Sequence, residues 1–270
     1  MTLRAATVAG IALAAGVLAV VAADVRAETV ASPEGAAWAR VAAGEHAPLL
    51  RAPTDPERVA VPEFWMQQLP VTNGDFLAFV RANPAWRLGT VSALFADGQY
   101  LAHWSGPLDP GPAAPLDAPV VRVSWFAARA YAAWIGARLP LIAEWERAAN
   151  SGFTTDDAAT EPAVRQLIAG WFARPSPDVL PAVGQNRANR LGLRDLHGLV
   201  WEWVEDFNTA LVTGESRADP SLERDLFCGA GSIGARDKTN YPAFMRAGFR
   251  SSLRAAYTVP NLGFRCVRSP

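Results

Sequence analysis

The stretch PVVRVSWFAARAYAAWIGARLPLIAEWERAA, Pro119 to Ala149, sets how the rest of the chain is read. Ser124 stands where a side-chain oxygen can cap the first free amides of a helix. Phe126, Ala130 and Trp134 then fall on one helical face until Gly136 ends the run. A second helix follows Pro140, with Ile142, Trp145 and Ala149 on a shared face and Glu144, Glu146 and Arg147 free to look outward. Two short helices broken by a glycine and a proline argue against a bundle of long ones. The 10 Trp, 21 Gly and 21 Pro of the 270-residue chain point to a loop-rich fold held by aromatic anchors.

Upstream, VAVPEFWM from Val59 reads as a strand. Thr72 with Asp75 three positions on is a capping box, and Phe76, Phe79 and Val80 recur at helical spacing until Asn83-Pro84 stops the run. Arg87 to Pro119 keeps no period of either kind and reads as long loops with short strands. Downstream, residues 151–190 mix acidic, proline-containing and apolar patches, and GLRDLHGLVWEWVEDF follows at Gly192. From Phe227 short apolar runs alternate with Gly and Ser, ending on a terminal strand in NLGFRCVRSP.

The first residues read as a sorting signal. Arg4 gives a positive start, Ala5 to Ala23 is almost wholly apolar, and Val25-Arg26-Ala27 offers a small-residue cleavage site. Residues 1–27 are therefore expected to be a signal peptide and residues 28–270 the exported domain; an uncleaved membrane anchor is the alternative, weakened by the Ala and Gly content of the run. Lys and Arg number 25 against 26 Asp and Glu, a net charge of -1, and losing Arg4, Asp24 and Arg26 makes it -2. No basic face is demanded, so nucleic acid is not an expected partner.

An oxidising compartment lets the two cysteines, Cys228 and Cys266, persist as a disulfide. It would close a loop of roughly forty residues, worth about 4 kcal/mol on a chain-entropy argument. The other reading keeps both as thiols that bind copper.

Four ordered segments, LPVTNGDFLAFV at Leu69, the Pro119 stretch, GLRDLHGLVWEWVEDF at Gly192 and NLGFRC at Asn261, resemble the formylglycine-generating-enzyme-like, or sulfatase-modifying-factor, family. The resemblance implies one mixed α+β domain, C-type-lectin-like, with little regular secondary structure. It also implies that Cys266 is a disulfide cysteine. The tail from Phe227 looks most like bacterial accessory members found with copper nitrite reductases, which implies a periplasmic protein that serves the maturation of another factor. Active formylglycine generators hold copper between two thiolates a few residues after a Gly-Gly-Ser motif. Here Gly231-Ser232 fits the end of that motif, Ala235 stands where the first thiolate is expected, and no cysteine occurs between Gly229 and Arg265. The resemblance therefore implies neither the copper site nor the namesake reaction.

By the same resemblance, a structural calcium ion would be held by the Asp195 and Glu202 side chains and the Gly198 and Val200 carbonyl oxygens, a hard-oxygen set. The competing reading pairs Glu202 with a nearby arginine and binds no ion. Trp201 and Ser232 match positions that line the catalytic cavity of formylglycine generators, and Arg250 and Arg254 precede the terminal strand where they can face the same groove. Core packing is the competing role for Trp201 and Trp203 and is expected of at least one of them. His46, His103 and His197 show no metal-ligand spacing, and His197 is expected to pack or hydrogen-bond. Three functions follow: an accessory protein holding a protein or small ligand of the envelope, an oxidoreductase acting on a protein or peptide with an unidentified cofactor, and a calcium-dependent lectin-like module.

Overall fold

The computed structural model describes residues 37–49, 55–208 and 241–270. Strands β1 (Trp38–Val41), β4 (Phe64–Gln67) and β7 (Val267–Arg268) form an antiparallel sheet with β4 in the middle. Strand β2 (Gly44–His46) pairs antiparallel with β3 (Val59–Val61), and β5 (Trp201–Glu202) pairs parallel with β6 (Leu262–Gly263). The single strand expected in VAVPEFWM is two strands in different sheets. Pro62 divides them, since it has no amide hydrogen to give a ladder.

Helix α1 (Asn73–Ala82) has the expected box: the Thr72 hydroxyl accepts from the Asp75 amide at 3.1 Å, and the Asp75 carboxylate accepts from the Thr72 amide at 3.0 Å. Its Phe76, Phe79 and Val80 are fully buried. They meet Tyr131 and Phe264 in an aromatic core with Phe76–Tyr131 and Tyr131–Phe264 ring centroids 5.9 and 5.3 Å apart. Helix α2 (Trp125–Trp134) is capped by Ser124, whose hydroxyl accepts from the Ala127 amide. The core takes its Ala127, Ala128, Tyr131 and Ala132 face, not the Phe126, Ala130 and Trp134 face read from the sequence. Three alanines let the helix sit close, and the bulkier residues pack half-buried along its side.

Helix α3 (Ile142–Ala149) overturns a second expectation, because neither of its glutamates looks outward. Glu144 is buried, accepting from both terminal nitrogens of Arg138 at 2.7 and 2.6 Å and from the Leu141 amide at 2.8 Å. Glu146 turns inward beneath another helix, as described below.

Two helices were not expected. Helix α4 (Pro162–Phe172) lies in the stretch without an assignable period; Pro162 opens it and Val164 and Ile168, one turn apart, are its buried positions. Helix α5 (Tyr241–Ser251) occupies part of the tail read as short apolar runs alternating with Gly and Ser, and its buried residues are Arg246 and Arg250. A helix that buries arginines carries an inverted hydrophobic pattern, which hides it from periodicity. Between Arg87 and Pro119 the backbone runs in turns with an isolated bridge from Gly106 to Asp109, in place of the short strands expected there. Gly263 is required where β6 crosses residue 120: a Cβ there would lie 2.6 Å from the Val120 carbonyl oxygen. No helix among the described residues is long and apolar enough to cross a membrane.

Candidate functional site

The Trp201-Glu202-Trp203 segment gives its three side chains three different surroundings. Trp203 is fully buried and donates its indole N–H to the Val123 carbonyl at 2.9 Å, so it is the core tryptophan. Trp201 is half-buried and stacks on Phe249 of α5, centroids 4.6 Å apart and planes 20° from parallel, and on Phe172 of α4 at 5.7 Å. Trp171 leans on it at 4.9 Å. These rings line a cleft of about 370 Å³, its open mouth included, between α4, β5 and α5.

Glu202 is fully buried beside Arg265, the arginine of NLGFRC, which is also fully buried. The carboxylate accepts from Arg265 Nε at 2.9 and 3.0 Å, from Nη2 at 2.8 Å and from the Trp145 indole N–H at 2.7 Å. Arg265 spends its other hydrogens on the carbonyl oxygens of Gln67, Gln68 and Arg194 at 2.8–3.1 Å. One guanidinium thus collects a carboxylate and three carbonyls, the kind of oxygen set a metal cation would gather.

Asp195 is buried with a left-handed backbone, φ 59°. Its carboxylate accepts from the amides of Gly184 and Asn186 and from the Asn186 side chain at 2.9 Å. Every side-chain oxygen proposed as a calcium ligand therefore already accepts N–H bonds, and on Glu202 the counter-charge is Arg265. As they stand, Asp195, Gly198, Val200 and Glu202 do not fit a calcium ion, because the cation would have to displace those donors. The Arg265 pairing is the competing arrangement that the sequence left open. Among the described residues, no group of three His, Cys, Asp or Glu side chains is placed to hold a metal.

On α3, Glu146 accepts from Arg246 Nε and Nη2 at 2.9 and 2.6 Å and from Arg250 Nη1 at 2.6 Å. The two arginines lie over the Trp145 ring at 5.3 and 5.0 Å, a cation–π contact on both. Burial opposes the charge on Glu146, but the two guanidinium groups outweigh it and hold its carboxyl well below the usual range. Burial pushes the Arg250 guanidinium down against the pull of Glu146. The same pair bears on both nearby histidines: burial, reinforced by the arginines, lowers His46 and takes His197 to about 4. His197 is thus neutral at neutral pH, its Nε2 3.2 Å from the Ala149 carbonyl and its ring edge-on to Trp145, the packing role expected for it.

The structure therefore brings Trp201 and Arg250 to one cleft and adds Arg246, Phe249, Trp171 and Phe172, which the sequence reading missed because α4 and α5 were missed. Arg254 is not part of it. It is exposed, with its guanidinium 5.8 Å from the Tyr257 ring, because α5 has ended and the chain has turned away. Ser232 and Cys228 lie outside the described residues. Cys266 is a free, buried thiol among the described residues, with burial raising its pKa well above the ordinary value.

Comparison with known proteins follows the same lines. Residues 19–270 match the sulfatase-modifying factor enzyme 1-like domain. The chain is similar to the formylglycine-generating enzyme of Streptomyces coelicolor, 32% identical over 250 residues that cover 76% of this chain and 77% of that one. It is also similar to the inactive C-alpha-formylglycine-generating enzyme 2 of Mus musculus, 31% identical across 84% of this chain and 82% of that one. A third relative, serine/threonine-protein kinase Pkn1 of Chlamydia trachomatis, is 32% identical over 158 residues, 55% of this chain, and the match spans only 24% of the kinase's length. On the domain match and the near full-length identity, the chain belongs to the formylglycine-generating-enzyme-like, sulfatase-modifying-factor family.

Proposed function

We propose that this chain is an exported accessory member of its family, which uses the cleft at Trp201 to hold a protein or small ligand during maturation of another envelope factor, and does not generate formylglycine. The carrying observation is in the sequence: Ala235 replaces the first expected thiolate and no cysteine lies between Gly229 and Arg265. Monovalent copper is selected by soft sulfur ligands, and the thiolate pair expected just after the Gly-Gly-Ser position is missing. What the family scaffold retains here is a groove with aromatic walls and buried arginines, suited to holding a ligand. That a mammalian relative carries the name of an inactive formylglycine-generating enzyme supports the idea that this scaffold serves without the reaction. The leader at residues 1–27 supports export to the periplasm, and the likeness of the tail to nitrite-reductase-associated members suggests a client in denitrification.

The test is direct. Protein purified from the periplasm, supplied with copper and a sulfatase-type cysteine peptide, should form no aldehyde above a heat-denatured control. Copper-dependent aldehyde formation would overturn the proposal and restore the oxidase reading.

A further inference from the structure

Helix α5 turns one face toward the cleft, and that face carries Arg246, Phe249 and Arg250, spaced three and four residues apart. Phe249 lies on Trp201 with centroids 4.6 Å apart and planes 20° from parallel, a closer stack than Phe172 makes on the same ring at 5.7 Å and 25°. With the helix seated, the room left inside the cleft is about 10 Å³, about what one water molecule needs. The ring face that a ligand of this cleft would use is therefore already taken, and by the chain itself.

The seat of α5 is unlike that of a core helix. Helix α1 sinks Phe76, Phe79 and Val80 completely. In α5 the apolar Phe244, Met245 and Phe249 are only half-buried, Tyr241 is exposed, and what the helix buries is charge. The attraction between Glu146 and the two guanidinium groups is offset by the cost of drying three ions, so the clasp fixes where the helix sits more than how firmly it is held. Few buried apolar contacts mark the segments of a fold that open first. Beneath α5 the aromatic face is anchored by other elements: Trp201 by its parallel pairing with β6, Trp171 and Phe172 by α4.

We infer that α5 is a built-in plug: Phe249 occupies the place on Trp201 that a planar apolar group of the ligand takes, the Glu146 clasp returns the helix to that place, and the cleft binds only when α5 swings aside. Ligand and helix compete for one ring face, so the observed affinity is the intrinsic affinity scaled by the fraction of molecules with α5 open. Loosening the clasp therefore raises affinity although neither Glu146 nor the arginines touch the ring face that the ligand takes. The same competition makes the ligand planar and apolar where it meets Trp201, since it replaces a stacked phenyl ring. The inference rests on the reading above that the cleft holds a ligand, and it adds the element that governs access.

Hydrogen exchange read by mass spectrometry on the full-length protein tests it, with 2-naphthol as a neutral planar probe. Without the probe, and corrected for intrinsic rates, the α5 amides should exchange at least about tenfold faster than those of α1, through an opening that leaves α1 closed. Adding 2-naphthol should speed the exchange of α5 further, because the probe takes the ring face from the helix; a ligand bound against a fixed wall would slow it or leave it unchanged. Glu146→Gln should bind 2-naphthol about tenfold more tightly than the unaltered protein, and Trp201→Ala added to that variant should abolish the gain. Should Glu146→Gln fail to fold, the exchange comparison on the unaltered protein decides by itself. Exchange of α5 and α1 within about threefold of each other, protection of α5 by the probe, or no binding of 2-naphthol to either protein at about 1 mM would overturn the inference. None of those results bears on the copper assay, so the plug can fail while the accessory reading stands.

Discussion

Glu202 and Glu146 are both buried carboxylates tied to arginine and to Trp145, yet they are built for different ends. Glu202 meets one arginine whose remaining hydrogens all go to backbone carbonyls, and it takes the indole N–H edge of Trp145. Glu146 meets two arginines that lie over the face of the same ring at the wall of a cleft. The first cluster is saturated, and saturation is what a structural joint needs: β5, β6 and the β4 end converge on Arg265. The second stands at the wall of the cleft, where both of its arginines line the opening. A buried ion pair is weak evidence for stability by itself, since desolvation offsets the attraction; what surrounds each pair separates the two clusters.

The largest effect should come from breaking the saturated cluster. Arg265→Met would strand Glu202 and three carbonyls in the core, and we expect a loss of about 3–5 kcal/mol in denaturant unfolding. A loss under about 1 kcal/mol, within the range of ordinary surface substitutions, would show that the joint is not what holds these strands. Glu146→Gln should cost less, about 1.5–3 kcal/mol, because the two arginines can turn toward the cleft mouth and find water.

Acid should reveal a third difference. His197 sits between the two clusters with its pKa lowered to about 4, whereas an unfolded histidine titrates near the usual 6.5. The unfolded chain therefore binds more protons across that window, so stability is full above about pH 6.5 and falls as pH drops toward 4. His103 is shifted the same way, also to about 4. Unfolding free energies measured between pH 7 and pH 5 should slope downward with acid, and His197→Gln should remove part of the slope while His103 keeps the rest. Glu146, held below the usual carboxylate range, contributes stability lost only at lower pH still. The smallest effect belongs to Trp145→Phe, which keeps a ring under the arginines but removes one N–H from Glu202. About 1–2 kcal/mol is expected, with binding at the cleft little altered.

The sequence carried the saturated cluster better than the open one. GLRDLHGLVWEWVEDF and NLGFRC marked both Glu202 and the segment of Arg265, and a pairing of Glu202 with an arginine was among the readings. Local signals also carried α1, because Thr72 and Asp75, three positions apart, cap one another. The Glu146 cluster was illegible for a physical reason. Its partners lie on a helix whose buried residues are arginines, so hydrophobic periodicity assigned that helix no inner face and sent Glu146 to the solvent side of α3. The wall of the cleft was lost with α4, whose Pro162 start and Val164–Ile168 spacing were present but diluted by flanking polar residues. What long-range charge pairing decides, one hundred residues apart in sequence, local pattern does not contain.

The most direct measurement is a thermal melt of chelator-treated protein with and without calcium chloride at millimolar concentration. A ligand that binds only the folded state raises the melting temperature by mass action. The account predicts no rise with calcium, because Arg265 already stands as the cation at Glu202. A rise with calcium would contradict it.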